Sequence, residues 1–348
     1  MGTYLEDILS QPQQLQTALA VYTGSDVRRS LETIHKMEFS ELIFAGMGSS
    51  HFCALSANVY LAGHGIRSQV ISAGELLHYE YGRIKTDTLL CLISQSGESA
   101  EIVRLLKKLP DDIQVIAITN NPESTLGKRG NVTLPLCVSD EKSVTTRTYL
   151  ASVCLTLLIA FTMTGEDMDE IFKEFRKVYG EMGQYLEDFE CNTKKLADFS
   201  LNSKEINVMG RGYAITAVRA GALFFREVAR YGTTDFDSAE FRHGPMETVD
   251  DGFFGIVLAP FGNTQMLGIH LAREIAEKGG RVVLVTDAGA PDQKWGDNIL
   301  PVILPEVPEI YSPFLQILPL QLLADALAKE KGIVAGDFRW GSKITAVE

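Results

Sequence analysis

The sequence predicts an α/β protein made of two tandem copies of a doubly wound parallel sheet flanked by helices. Two observations carry this prediction. From Glu41 onward, short apolar runs of strand length alternate with stretches of helical spacing, the pattern of a parallel sheet covered on both faces. The order of these units then recurs, Gly46 reappearing as Gly210 and Thr119 as Thr286, at an offset of about 165 residues.

Residues 1 to about 37 read as amphipathic helices, with Leu5, Ile8 and Leu9, then Leu15, Leu19 and Val21, and Val27, Leu31 and Ile34 after Ser25. LIFAGMGSS, residues 42–50, is a buried strand running into a glycine turn, and Phe52 to Ala62 continues as helix. RSQVISAGELLHY supplies a second strand. The third, Leu89 to Ile93, stops at Ser94-Gln95-Ser96-Gly97-Glu98-Ser99, after which Ile102, Leu105 and Leu106 show helical spacing. QVIAITNNPESTLGKRGNVTLPL holds a fourth strand, a loop capping a short helix, and a fifth strand ending near Leu136.

The second half replays this order. EINVMGRGYA parallels LIFAGMGSS, GIVLAPFGNTQMLGIHLAREI parallels the third strand with its loop and helix, and RVVLVTDAGAPDQKWGDNILPVI parallels the fourth and fifth strands. The boundaries that follow are a helical segment over 1–37, a first copy over 38–165, a helical connector over 166–200, a second copy over 201–330 and a tail over 331–348.

The length of 348 residues suits two domains, and 45% apolar residues suffice for large cores. A formal net charge of −13 disfavours nucleic acid and anionic membrane as partners, since both need a cationic face. Cys53, Cys91, Cys137, Cys154 and Cys191 are odd in number and never in C-x-x-C spacing, so they read as buried thiols in a reducing, cytoplasmic compartment. The N-terminus has no basic region followed by an apolar core, and Tyr149 to Met163 is too short to span a bilayer, so it reads as a core helix.

Ligands of doubly wound sheets sit at the carboxyl ends of the strands, where Ser94 and Ser96 fall. A strand–loop–helix turn aims backbone N–H groups and the positive end of the helix dipole at one spot, and three hydroxyls plus an amide there suit a phosphate dianion. An ordinary serine-rich helix cap has the same composition. The second copy carries Pro260-Phe261-Gly262-Asn263 instead, without those hydroxyls, which implies one phosphate site per chain. Gly46-Met47-Gly48-Ser49-Ser50-His51 has His51 where a dinucleotide fingerprint needs its third glycine, and neither a P-loop nor a G-x-S-x-G elbow is present. No cofactor is expected, and the histidines lack metal-ligand spacing.

From spacing alone, Glu227 reads first as a partner for Arg226 or Arg230 on a wet face, on a helix starting in the 218–223 region. Its neighbours Phe224, Phe225 and Val228 leave open a carboxyl close to apolar surface, with a raised pKa and the ability to act as a general base. His243, in Arg242-His243-Gly244-Pro245, sits on a rigid turn able to project an imidazole.

Ile93-Ser94-Gln95-Ser96-Gly97-Glu98-Ser99, the Glu227 helix, Phe241-Arg242-His243-Gly244-Pro245 and the terminal Ser342-Lys343-Ile344-Thr345-Ala346-Val347-Glu348 together resemble the double sugar-isomerase (SIS) domain family. The likeness is to the isomerase half of glutamine–fructose-6-phosphate amidotransferases and to fructosamine-6-phosphate deglycases. It implies two flavodoxin-like three-layer domains. It also implies Ser50, Ser94, Gln95, Ser96 and Ser99 as phosphate ligands and Thr145 as a hydroxyl against the sugar. Glu227 becomes the base that moves a proton between C1 and C2, and His243 the ring-opening group, reaching in from the neighbouring chain of a homodimer. Lys343 becomes a tail lysine over the active site, able to form an imine.

Phe224 stands where the amidotransferases carry a lysine, and the run ahead of Lys343, Phe338 to Ser342, differs from the family's. Met1-Gly2-Thr3 offers no N-terminal cysteine nucleophile, so glutamine-dependent amination is not expected. The resemblance therefore implies a deglycase acting on a 6-phosphorylated sugar-amine. Its alternatives are an amino-sugar phosphate deaminase or aldose–ketose isomerase using the same residues, and a phosphosugar sensor without turnover.

Overall fold

In the computed structural model, residues 3–141, 144–201, 203–288, 290 and 294–341 are described. They form two compact units, one built mainly from Ser10–Lys177 and the other mainly from Val178–Asp337. Each contains one five-stranded, all-parallel sheet.

The chain opens with α1 (Tyr4–Tyr22) and α2 (Ser25–His35), and the Val27, Leu31 and Ile34 stripe is buried as its spacing requires. The first sheet follows as β1 (Glu41–Gly46), α3 (Ser49–Phe52), α4 (Leu55–Gly63), β2 (Ser68–Ser72), α5 (Ala73–His78), β3 (Thr88–Ile93), α6 (Ala100–Lys108), β4 (Gln114–Thr119), α7 (Thr125–Arg129), β5 (Val132–Pro135) and α8 (Arg147–Thr164). Its strand order is β2-β1-β3-β4-β5. The apolar faces of β1, β3 and β4 and the inner faces of α5 and α6 share one core, including Ile43, Leu90, Leu92, Ile102, Leu105 and Val115. The predicted helix from Phe52 to Ala62 is broken at Cys53 and Ala54, because the four-residue turn at the end of β1 must redirect before α4 can lie along the sheet.

The helices α9 (Met168–Glu187) and α10 (Phe189–Ser200) lead to β6 (Glu205–Gly210), α11 (Ile215–Val228), β7 (Gly232–Asp237), β8 (Phe254–Leu258), α12 (Gln265–Glu277), β9 (Arg281–Asp287), β10 (Ile299–Leu304) and α13 (Ser312–Glu330). The order β10-β9-β8-β6-β7 is the first sheet's arrangement repeated. In both sheets the chain reverses direction of winding between the first and third strands, β1 and β3 or β6 and β8, and this is where such folds open a ligand crevice.

Two further expectations are corrected. The helix carrying Glu227 begins at Ile215, since the single turn Gly212–Ala214 leads straight into it. No apolar run announces β7, an edge strand of sequence GTTDFD that is at most half-buried. The five cysteines are all free, but only Cys53, Cys91 and Cys154 are buried; Cys137 is intermediate and Cys191 is exposed on a solvated helix. Among the described residues, two helices are long and apolar enough to cross a membrane, Arg147–Thr164 and Glu309–Glu330. Each is 89% buried, so both are core helices.

Candidate active site

The crevice of the first sheet is bordered by the loops that leave β1 and β3. Gly46 ends β1, and a Cβ there would lie 2.6 Å from the Ser50 carbonyl oxygen and 3.0 Å from that of Ile93. Only glycine lets the first turn of α3, with Ser49 and Ser50, settle against the end of β3. Ser49 Oγ and Thr145 Oγ1 hydrogen-bond at 2.9 Å, bringing the approach to α8 to the same loop. Ser50 stands beside them, half-buried.

The loop after β3 is folded on itself. Ser94, buried at the strand end, accepts the Gly97 N–H on Oγ at 3.1 Å and shares a 2.9 Å hydrogen bond with Ser99 Oγ. Ser96 Oγ accepts the Glu98 N–H at 3.1 Å. The Gln95 carbonyl accepts the Asn120 N–H at 2.9 Å and the Thr119 hydroxyl at 3.2 Å, which pins the loop to the end of β4. Gly97 has φ +69°, and a Cβ on it would come within 1.9 Å of Ser124 Oγ. Glu98 reaches across to the start of α7, accepting the Thr125 N–H at 2.6 Å and its hydroxyl at 2.9 Å.

Ser99 holds the N-cap position of α6 without its side chain capping the helix, so its hydroxyl stays with Ser94 and the first amides of α6 remain directed outward. Ser94, Gln95, Ser96 and Ser99 thus occupy one turn at a helix N-terminus, and Ser50 and Thr145 lie on the loops next to it. Such a cluster of neutral donors around a positive helix end is suited to an oxyanion.

Sequence reasoning passed over Glu141. This buried carboxylate accepts the Thr146 N–H at 2.6 Å, the Thr148 N–H at 3.0 Å and the Thr148 hydroxyl at 2.6 Å. It caps α8 from outside and so sets the position of Thr145. A threonine triplet spaced around a helix start, with an acid a few residues ahead, was the available signal.

Glu227 and His243 belong to the other unit, on separate elements. Glu227 lies in the last turn of α11, which packs so closely on α13 that a Cβ on Gly221 would sit 2.1 Å from Leu320 Cδ2. Among the described residues Glu227 has no hydrogen-bond or ion-pair partner. The two arginines that spacing offered it are engaged elsewhere. Arg226 donates to the Thr233 carbonyl at 2.7 Å and to Asp235 at 2.8 Å, and Arg230 donates to the Asp337 carbonyl at 3.0 Å. The wet-face pairing is therefore replaced by an isolated carboxyl, and its burial pushes its pKa up to about 7. Phe224, three residues earlier on the same face, is fully buried.

His243 follows the single turn Glu240–Arg242 and is exposed, its N–H donating to the Glu240 carbonyl at 2.9 Å. Arg242 is tied to Glu274 at 2.9 Å, which holds the turn against α12. Lys343 lies outside the described residues. Among the described residues no group of three His, Cys, Asp or Glu side chains is placed to hold a metal ion.

The SIS domain model matches residues 38–162, the whole of the first sheet and its helices. The chain is similar to the glutamine–fructose-6-phosphate aminotransferase (isomerizing) of Rhizobium meliloti strain 1021, with 24% identity over 331 residues, which is 92% of this chain and 54% of that protein. The corresponding enzyme of Bartonella quintana gives 24% over 330 residues, again 92% and 54%. The chain thus spans about half the length of these curated relatives.

Among solved structures, the C-terminal domain of the Francisella tularensis glucosamine-fructose-6-phosphate aminotransferase superposes with a TM-score of 0.85 at 21% identity, covering 97% of this chain and 98% of that one. Glucosamine-6-phosphate deaminase of Thermotoga maritima gives 0.78 at 21%, covering 99% of each. Tagatose-6-phosphate ketose/aldose isomerase of Escherichia coli gives 0.78 at 19%, covering 96% and 95%. The fold is thus that of two SIS domains in tandem, and the chain is homologous to the isomerase half of glutamine–fructose-6-phosphate aminotransferases.

Proposed function

We propose that this protein is a cytoplasmic phosphosugar enzyme that releases an amine from a 6-phosphorylated sugar-amine, leaving hexose 6-phosphate. The observation that carries the reading is Glu227, a half-buried carboxyl that no arginine neutralises and whose pKa of about 7 suits it to take and return a proton near neutral pH. The hydroxyl-lined turn of Ser94, Gln95, Ser96 and Ser99, with Ser50 beside it, supports a phosphate anchor, and Thr145 a contact to the sugar. The relatives' names, which concern fructose 6-phosphate, glucosamine 6-phosphate and tagatose 6-phosphate, support a phosphosugar as the substrate class.

In this reading Glu227 removes a proton from C1 of the open-chain ketoamine to give an enaminol and returns it at C2. Water then hydrolyses the C1 imine, so the C–N bond breaks and the amine leaves. His243, exposed on its turn, opens the ring in the site of the partner chain of a homodimer. Remote binding of the phosphate supplies the energy that orients C1 and C2. Aldose–ketose isomerisation is the second reading, favoured by the fact that it needs the same Glu227 proton transfer and no water.

Incubating the protein with a panel of 6-phosphorylated Amadori compounds, hexosamine 6-phosphates and hexose 6-phosphates separates these readings. Release of the free amine from an Amadori compound is the expected result. Ammonia from a hexosamine phosphate alone, or ketose–aldose interconversion alone, would replace it with one of the alternatives.

A further inference from the structure

The crevice of the second sheet, between the loops that leave β6 and β8, is not empty. In strand register, Leu258 ends β8 as Ile93 ends β3, so Gly262 takes the place of Gly97 and Asn263 that of Glu98. Gly262 shares the positive φ, +150° against +69°. The hydroxyl positions Ser94 and Ser96 are Ala259 and Phe261 in this copy.

Into this turn projects Glu309, from the segment just ahead of α13. Its carboxylate accepts the Asn263 N–H. A Cβ on Gly262 would lie only 2.0 Å from Glu309 Oε2 and 2.3 Å from its Cδ, so the carboxylate rests directly on the glycine backbone. On the other side, a Cβ on Gly212, in the loop after β6, would lie 3.6 Å from Glu309 Oε1. Burial, and after it the Glu309 charge, raises the pKa of the neighbouring Tyr213. One carboxylate therefore rests on the loop after β8 and faces the loop after β6.

We propose that Glu309 is a built-in anion that fills the second SIS copy's ligand crevice, and that it limits each chain to a single phosphate site. The duplicate keeps a positive-φ glycine at this turn and a helix start just after it, in a different backbone conformation, and a side chain of the ligand's charge sign stands where the ligand would. Loss of the Ser94 and Ser96 hydroxyls alone, with Thr264 still in the place of Ser99, would leave the cradle open to inorganic phosphate or to a sugar phosphate; the carboxylate closes it by occupancy and by like-charge repulsion. The single-site count rests on the phosphate reading of the Ser94 turn, whereas the role of Glu309 does not.

The test counts sites by equilibrium dialysis with radiolabelled inorganic phosphate. The wild-type chain is expected to bind one phosphate, Glu309→Ala two, and the variant carrying Ser94→Ala and Ser96→Ala none. Adding Glu309→Ala to that double variant is expected to restore one. A Glu309→Ala chain with the wild-type count overturns the proposal, as does a wild-type chain that already binds two. Retained binding in the Ser94→Ala, Ser96→Ala variant instead refutes the first-copy phosphate reading and leaves the difference made by Glu309→Ala to decide this one.

Should the alanine variant not fold, Glu309→Ser opens the same space. Folding of either variant only when phosphate is supplied supports the proposal, because the added anion then stands in for the carboxylate. Failure of both with and without phosphate counts against it.

Discussion

At the scale of single residues, Glu227 is the proposed base. Its folded-state pKa of about 7 lies above the ordinary value of 4.5, so the folded protein holds this proton more tightly than the unfolded chain does. Stability contributed by the protonated form is present below about pH 4.5 and is lost as pH rises toward about 7, a cost of about 3 kcal/mol once the carboxylate is fully ionised. Glu227→Gln removes that cost. Chemical denaturation at pH 8 should show the variant more stable than wild type by about 1–3 kcal/mol, with the difference vanishing toward pH 4.5.

The activity of the same variant is expected to move the other way, turnover falling by about 100- to 10,000-fold with phosphosugar binding unchanged. For the wild type, kcat/KM should rise with pH through an inflection near 7, since only the ionised carboxyl accepts a proton. A flat profile across that range would mean another group is the base.

At the scale of elements, the turn after β3 depends on Gly97 as much as on its hydroxyls. Gly97→Ala places a methyl against Ser124 at a backbone angle that alanine disfavours, and thermal denaturation should reveal a loss of a few kcal/mol. Ser94→Ala combined with Ser96→Ala should leave the fold in place and chiefly raise KM for a phosphorylated substrate. An unchanged KM would place the phosphate elsewhere.

Much of this was legible in the chain. The strand–loop–helix turn at Ser94 and the repeat follow from apolar periodicity, because parallel strands buried on both faces are continuous apolar runs. The polar edge strand β7 was not legible, since a half-exposed strand leaves no such run. Nor was Glu309, which acts across about 46 residues of sequence on a glycine turn, and tertiary placement of that kind has no periodicity to read. The isolation of Glu227 was hidden for a related reason. Spacing offers it Arg226 and Arg230, and only the fold shows these two arginines committed to Asp235, Thr233 and Asp337.

At the scale of the molecule, a duplicated sheet has been divided between two tasks. The first copy keeps a turn lined with hydroxyls, and the second carries Glu227 and His243 while its own crevice holds a side chain. The proposed homodimer adds a further division, with His243 serving the partner's site. Mixing Glu227→Gln chains with His243→Ala chains should then recover activity in hybrid dimers, of which one of the two sites is intact. Hybrids as inactive as their parents would confine the site to one chain.

If Glu227 carries a proton between C1 and C2 of a phosphosugar, as proposed, that hydrogen exchanges with solvent during turnover. In deuterium oxide, the wild-type protein given its phosphosugar substrate should introduce deuterium at C1 or C2, detected by NMR, and Glu227→Gln should bind the same sugar without exchanging it. Exchange at the wild-type rate in Glu227→Gln would contradict the account.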